Sequence, residues 1–212
     1  MLKTIGLAVL TAGLLAAGPA SACKGKTVLF SDDFRQLDDT WPGDVPGALS
    51  VEDGKVKFKA TPNAAYNVLY GGSLFDDADM CVTVQIPNNL DQRDSVAAGP
   101  IFWGQDYANY YAFLITPDGR AGLVRLYRGK WVYLVNYRKA EGIKGGPGDK
   151  NVLRLTTSGN TITAYVNDVK FSTIKSQVPP GGGQVGLHAE SEEAHRNTWK
   201  FIDLKVTDLP PQ

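Results

Sequence analysis

The sequence predicts an all-β protein of antiparallel strands. Three observations carry this. Short runs of β-branched and aromatic residues alternate with clusters of Gly, Pro, Asn and Asp. The runs recur about every ten residues, the spacing of a sandwich or barrel. Helical periodicity is nearly absent: "SEEAH" (191–195) has room for one turn and no more.

The elements follow in order. "KTVLFSDDF" (26–34) opens with a strand. "LSVEDGKVKFKA" (49–60) reads as a hairpin, with Asp53-Gly54 as its turn and Val56 and Phe58 alternating with lysines. "ADMCVTVQI" (78–86) alternates well, as does "AGLVRLYRGKWVYLVNYRK" (121–139), with its turn near Arg128-Gly129. "NVLRLTTSGNTITAYVNDVKFSTI" (151–174) holds three strands, with turns at Ser158-Gly159-Asn160 and Asn167-Asp168. "GQVGLHAES" (183–191) and "TWKFIDLKV" (198–206) close the fold. "DDAD" (76–79) precedes a strand and reads as turn and solvent-facing residues.

The first 22 residues read as a secretory signal peptide: Lys3, an apolar run from Ile5 to Ala17, and the small residues Ala20-Ser21-Ala22. The run is too short and too rich in Gly and Ala for a good membrane span, and no later stretch has the length or apolarity of one. Residues 23–212 are expected to form one exported domain in the periplasm or outside the cell, with its core over about 28–207. After the leader is removed this part carries one more acid than base, and the signs are interspersed. Nucleic acid and an anionic membrane are therefore not the expected partners.

Cys23 and Cys81 are the two cysteines. An even count in an oxidising compartment predicts a disulfide between them. The competing reading is a lipid on Cys23, because "ASAC" resembles a bacterial lipoprotein box, with Ala20 where Leu is usual.

Six aromatic residues crowd "IFWGQDYANYYAFLITPDG" (101–119). Alternate strand positions face opposite sides. Tyr111, Phe113 and Ile115 share one face, and Tyr110, Ala112 and Leu114 the other. Phe102 and Trp103 fall on opposite faces by the same rule. Both faces are apolar, whereas a sandwich needs one apolar face per strand. The second face is therefore covered by loops, curved, or used for a ligand.

The run Gly99-x-x-Phe102, then Asp106, Asn109, Tyr111, Phe113 and "PDG" (117–119), resembles the central strands of bacterial concanavalin A-like jelly-roll modules. Gly129-x-Trp131, "NVLRLTTSGNTITAYVND", "GQVGLHAE", "WKFIDLKV", "LFSDDF", Trp41 and "VEDGKVKF" agree with it. The resemblance spans about residues 28–207. It implies a two-sheet antiparallel sandwich of the group that includes laminin G-like modules, legume-type lectins, family 16 glycoside hydrolases and 3-keto-disaccharide hydrolase domains. It places Phe102, Tyr111, Phe113, Leu153, Leu155, Ile162, Val166, Val185 and Leu187 between the sheets. It leaves Trp103, Tyr110, Arg125, Tyr133, Arg154, Tyr165, His188 and Glu190 for an outer surface, where glycans bind in such modules. Rings stack on sugar C–H faces, and Arg, Glu and His hydrogen-bond hydroxyls. Tyr107, in the turn, adds a further ring.

Hydrolysis of a glycoside usually needs two carboxylates about 5–5.5 or 6.5–9.5 Å apart. The E-x-D-x-x-E strand of family 16 enzymes is absent. His188 and Glu190, two apart on one face, are the remaining acid/base candidates, against a solvated sheet face. Two histidines, His188 and His195, are too few for a zinc site. No cofactor is expected, apart from a structural calcium that the resemblance would put near Asp203 and Gly54. The leading expectation is a carbohydrate-binding module. The alternatives are a hydrolase of the 3-keto-disaccharide type, using His188, Glu190 and Arg125, and an envelope protein-interaction module.

Overall fold

A computed structural model describes residues 23–37, 39–41, 49–91, 95–192 and 196–211. The expected leader and His195 lie outside the described residues, as does most of the turn expected at 191–195.

The described residues form fourteen strands in two antiparallel sheets. One sheet holds β1 (Val28–Asp32), β2 (Leu49–Glu52), β3 (Lys55–Lys59), β5 (Ala78–Gln85), β10 (Lys150–Ser158), β11 (Thr161–Val166), β12 (Val169–Lys175) and β14 (Thr198–Thr207). Its order is β12-β11-β10-β5-β14-β3-β2, and β1 also pairs with β14. The other holds β4 (Ala64–Leu69), β6 (Ala98–Asp106), β7 (Asn109–Ile115), β8 (Arg120–Tyr127), β9 (Lys130–Lys139) and β13 (Gln184–Ser191), in the order β4-β13-β6-β7-β8-β9. The expected turns stand where the sequence puts them, between β2 and β3, β8 and β9, β10 and β11, and β11 and β12. β4 is an additional strand. "AAYNVL" mixes Ala and Asn into its alternation, and its pairing with β13 stabilises it.

The main core lies between the sheets. Trp199, Phe201 and Phe58 of the eight-stranded sheet join Phe102, Tyr111 and Phe113 of the six-stranded one. Every residue expected between the sheets is there, each at most 2 % exposed. Rings of this size bury about 150–250 Å² each and dominate the hydrophobic stabilisation.

A second apolar layer covers the outer face of the six-stranded sheet. It holds Ile101, Tyr110, Ala112, Leu114, Val124 and Leu126, with Tyr137 packed on it. The second apolar face read in β6 and β7 is thus largely covered by the protein itself.

The N-terminal segment is fastened to the outer face of the eight-stranded sheet. A Cys23–Cys81 disulfide closes 58 residues of sequence. Beside it Arg154 Nε donates to both oxygens of Asp79, at 2.8 and 3.1 Å, and the Lys24 N–H donates to Asp79 Oδ2 at 2.7 Å. Arg154 also lies 4.8 Å over the Tyr165 ring. Asp79 is fully buried, which corrects its reading as a solvent-facing turn residue. Its carboxylate is tolerated there because a cation and a backbone donor compensate the lost water.

Replacing both Cys23 and Cys81 by Ser should lower stability by about 2–4 kcal/mol in equilibrium denaturation, because the unfolded chain regains the freedom of a long closed loop. An unchanged midpoint would show that the bridge does not constrain the unfolded state.

Candidate functional site

Strand β6 departs from simple alternation at Trp103. Its register against β7 shifts between Phe102 and Asp106, and against β13 the shift lies between Gln184 and Gly186. Trp103 takes a left-handed φ of 48°, rare for a bulky residue. The bulge turns its side chain inward beside Phe102, with centroids 5.7 Å apart, and edge-on to Tyr111 at 5.5 Å. Trp103 is 2 % exposed. The expectation that it forms an outer sugar platform is corrected: it is core.

Two arginines are also relocated. Arg125 pairs in register with Tyr111 and lies 4.9 Å over that ring, so it faces the side of the main core rather than the outer layer. Arg154 and Tyr165 belong to the eight-stranded sheet. They share no surface with Tyr133 or Glu190.

What remains on the outer face of the six-stranded sheet is a compact set. Tyr133 is 56 % exposed and Trp131 40 % exposed. Both stand on β9, which pairs with β8 as Leu126–Trp131 and Val124–Tyr133. Tyr137, an even number of residues further along β9, stands on the same face, over Gly122, where a Cβ would meet its ring at 3.2 Å; the two register shifts between Tyr133 and Arg138 cancel. Trp131, Tyr133 and Tyr137 line a cleft of about 240 Å³ with Ser95, Thr116, Arg120 and Glu190. Trp131, Tyr137 and Arg120 were not singled out as site residues from sequence. The signal was present in "KWVYLVNY", where even spacings already put Trp131, Tyr133 and Tyr137 on one strand face.

Tyr110 is placed outward as expected, but it is buried under Trp131, with the rings edge-on at 5.9 Å. Tyr107 is 41 % exposed in the β6–β7 turn and does not line the cleft.

His188 and Glu190 do meet. His188 is fully buried, not solvated. Its Nδ1 lies 2.6 Å from Asn67 Oδ1, which also accepts the Tyr110 hydroxyl at 3.1 Å. An amide oxygen only accepts, so Nδ1 carries a proton. Nε2 faces Glu190 Oε1 at 3.1 Å, and Glu190 Oε2 accepts the Ala97 N–H at 2.9 Å. A second proton must lie between Nε2 and Oε1, since two bare lone pairs would repel. His188 thus fixes the rotamer of the one carboxylate among the described residues lining the cleft. Burial and the nearby Glu190 raise the Tyr137 phenol above its usual range, so it stays a hydroxyl. Burial opposes ionisation of Asp118, but the Thr116 hydroxyl and Arg120 outweigh it and hold its carboxyl below the ordinary 3.8. Asp118 therefore remains the ionised partner of Arg120, with Nε–Oδ2 at 2.6 Å.

At the position expected for calcium, Asp203 is engaged by a neighbouring strand. Both Asp203 oxygens accept from Thr83, at 3.2 Å from its N–H and 3.1 Å from its hydroxyl. Gly54 is the left-handed residue of the β2–β3 turn, with φ 65°. Among the described residues the one cluster of three metal-type donors is Cys23, Asp79 and Cys81, and two of these form the disulfide.

No protein-family model matches the sequence, and no curated protein matches it. Solved structures do. The carbohydrate-binding module CBM66 of Bacillus subtilis superposes with a TM-score of 0.60 at 17 % identity, over 79 % of this chain and 94 % of its own. A Bacteroides ovatus GH16 protein of mixed-linkage glucan gives 0.65 at 12 %, over 84 % and 100 %. A Bacillus licheniformis β-glucanase gives 0.59 at 11 %, over 84 % and 97 %. The fold is a concanavalin A-like jelly roll. At these identities the likeness concerns the fold, and it bears out the architecture that the sequence resemblance implied.

Stability separates core from surface. Trp103→Ala should cost about 3–5 kcal/mol, the range for deleting a buried ring, and Tyr133→Ala should stay within about 0.5 kcal/mol. Chemical denaturation of both variants checks this; equal losses would contradict the assignment of faces.

Proposed function

We propose that the protein binds carbohydrate in the cleft on the outer face of the six-stranded sheet. The observation that carries this is the convergence of Trp131, Tyr133 and Tyr137 on one side of β9, beside Glu190, Arg120 and Thr116. Flat rings offer stacking surface to sugar C–H faces, and the polar groups offer both donors and acceptors to hydroxyls. With one proton on His188 Nδ1 and a second shared between Nε2 and Glu190 Oε1, the pair adds no net charge, and Arg120 is neutralised by Asp118. The cleft therefore suits an uncharged sugar. The fold's occurrence in a carbohydrate-binding module and in glucanases supports the reading.

Export to the periplasm or the outside of the cell fits the Cys23–Cys81 bridge, which persists in oxidising compartments. A sulfur held in that bridge has no valence left for a lipid thioether, so the disulfide and the lipid anchor exclude each other. Mass spectrometry of the mature N-terminus distinguishes them.

Trp131→Ala should weaken glycan binding about 10- to 100-fold, the effect of losing one stacked ring of about 1.5–3 kcal/mol, with the melting temperature nearly unchanged. A glycan array followed by calorimetry on the hits checks this. Undiminished binding by a folded Trp131→Ala variant would refute the site.

One observation favours an enzyme as the second reading: a buried histidine hydrogen-bonded to a carboxylate at the cleft. Two-carboxylate glycoside hydrolysis lacks its second group among the described lining residues. An enzyme at this site would show turnover in a glycoside and keto-sugar screen, abolished by Glu190→Gln. Binding without turnover is the expected outcome.

A further inference from the structure

Arg125, displaced from the outer face, sits in a recess of its own. The β6–β7 and β8–β9 turns lie at the same end of the six-stranded sheet, and the segment after β12 packs against them. Between them is a recess of about 140 Å³, lined by Gln105, Asn109, Tyr111, Arg125, Gln177 and Pro180 among others. The Arg125 guanidinium lies 4.9 Å over the Tyr111 ring and 4.6 Å over Tyr127. Its Nη1 donates to Gln177 Oε1 at 3.1 Å. Tyr111 is itself fixed, donating its hydroxyl to Gln177 O at 2.9 Å and accepting from Ser176 Oγ at 3.2 Å. A second guanidinium, that of Arg128, lies 5.2 Å over Tyr127.

The charge here is not balanced locally. Among the described residues neither Arg125 nor Arg128 has a carboxylate within ion-pair distance, whereas Arg120 and Arg154 each have one. The acid at this end, Asp106, is engaged by its own turn: it accepts from the Ala108 N–H at 2.7 Å and from Asn109 Nδ2 at 2.9 Å. Two cations drawn to one tyrosine repel each other, and a bound anion would relieve that repulsion. The rings hold Arg125 in place while part of its planar donor fork stays available, the geometry that suits a carboxylate or sulfate. The amides of Gln105, Asn109 and Gln177 are neutral donors and acceptors, which match hydroxyls rather than a bare ion.

We propose that this recess is a second binding site, taking the acidic group of a charged sugar unit, a uronate carboxylate or a sugar sulfate, on Arg125. The sugar part of the claim rests on the carbohydrate reading above; the charge preference does not. The outer cleft then holds neutral sugar, and the recess at the sheet end selects chains that carry acid.

Calorimetry at low salt with the whole protein tests this, using three oligosaccharides of equal length: neutral, uronate-containing and sulfated. At least one acidic chain should bind about 10-fold or more tightly than the neutral one, the scale of a hydrogen bond to a charged group. Whichever chain binds identifies the acid. Arg125→Gln should abolish that preference. Gln177→Glu, nearly isosteric, would put a carboxylate on the Arg125 fork and should abolish it too while leaving the fold intact. Trp131→Ala should weaken neutral and acidic chains alike. The proposal is overturned if neutral and acidic chains bind equally, if folded Gln177→Glu keeps the preference, or if inorganic sulfate binds as tightly as the acidic chain. Trp131-dependent binding without acid preference would sink this proposal alone; binding of no chain would sink the carbohydrate reading as well.

Discussion

The left-handed turn of the backbone at Trp103 is the constraint on which the division of this protein's surfaces depends. A strand in strict alternation would send Phe102 inward and Trp103 out. The bulge sends both inward, so two large rings fill the same end of the core against Tyr111. The neighbouring chain must allow it. Gly183 passes so close that a Cβ there would lie 2.4 Å from the Trp103 backbone, so no other residue fits without movement. Placing Trp103 inside also gives its indole N–H a partner, the carbonyl of Asp76 at 3.3 Å.

With that ring withdrawn, the outer face of the six-stranded sheet is organised from its edge. Tyr110, Ala112, Leu114 and Val124 form a covered floor. Trp131, Tyr133 and Tyr137 stand over it from β9, the last strand of the sheet. On the far side His188 and Asn67 hold Glu190 toward the same cleft. Three evenly spaced rings of β9 on one side and a buried polar network on the other converge on one recess. The eight-stranded sheet takes no part in it; its outer face is occupied by the N-terminal segment, the disulfide and the Arg154–Asp79 pair.

Much of the fold was legible in the sequence because alternation and turn chemistry are local. The Asp53-Gly54 and Asn167-Asp168 turns follow from residues that accept a left-handed backbone, and both pairs adopt it. The core residues from Phe102 to Leu187 followed from alternation and resemblance together. The site was less legible, because it depends on departures from local rules. Trp103 was misplaced by one bulge, whereas Tyr137 lies on the face that alternation gives and was passed over because the sequence does not show that β9 borders the cleft. Arg154 was assigned to a glycan surface because its own strand does not say which sheet it joins. His188 and Glu190 were placed side by side correctly, since a spacing of two on one strand survives any register. The partner of His188 was missed with β4, a strand whose alternation is diluted by Ala64, Ala65 and Asn67.

Three of the four tryptophans, Trp41, Trp103 and Trp199, are at most 4 % exposed, so Trp131 is the one exposed indole. Acrylamide quenching of tryptophan fluorescence, with and without a bound oligosaccharide, therefore reports on the cleft alone. The account predicts one quenchable component, absent in Trp131→Phe and protected by the sugar. A quenchable component that persists in Trp131→Phe, or one that a bound sugar leaves unprotected, would contradict the assignment of Trp103 to the core and of glycan binding to β9.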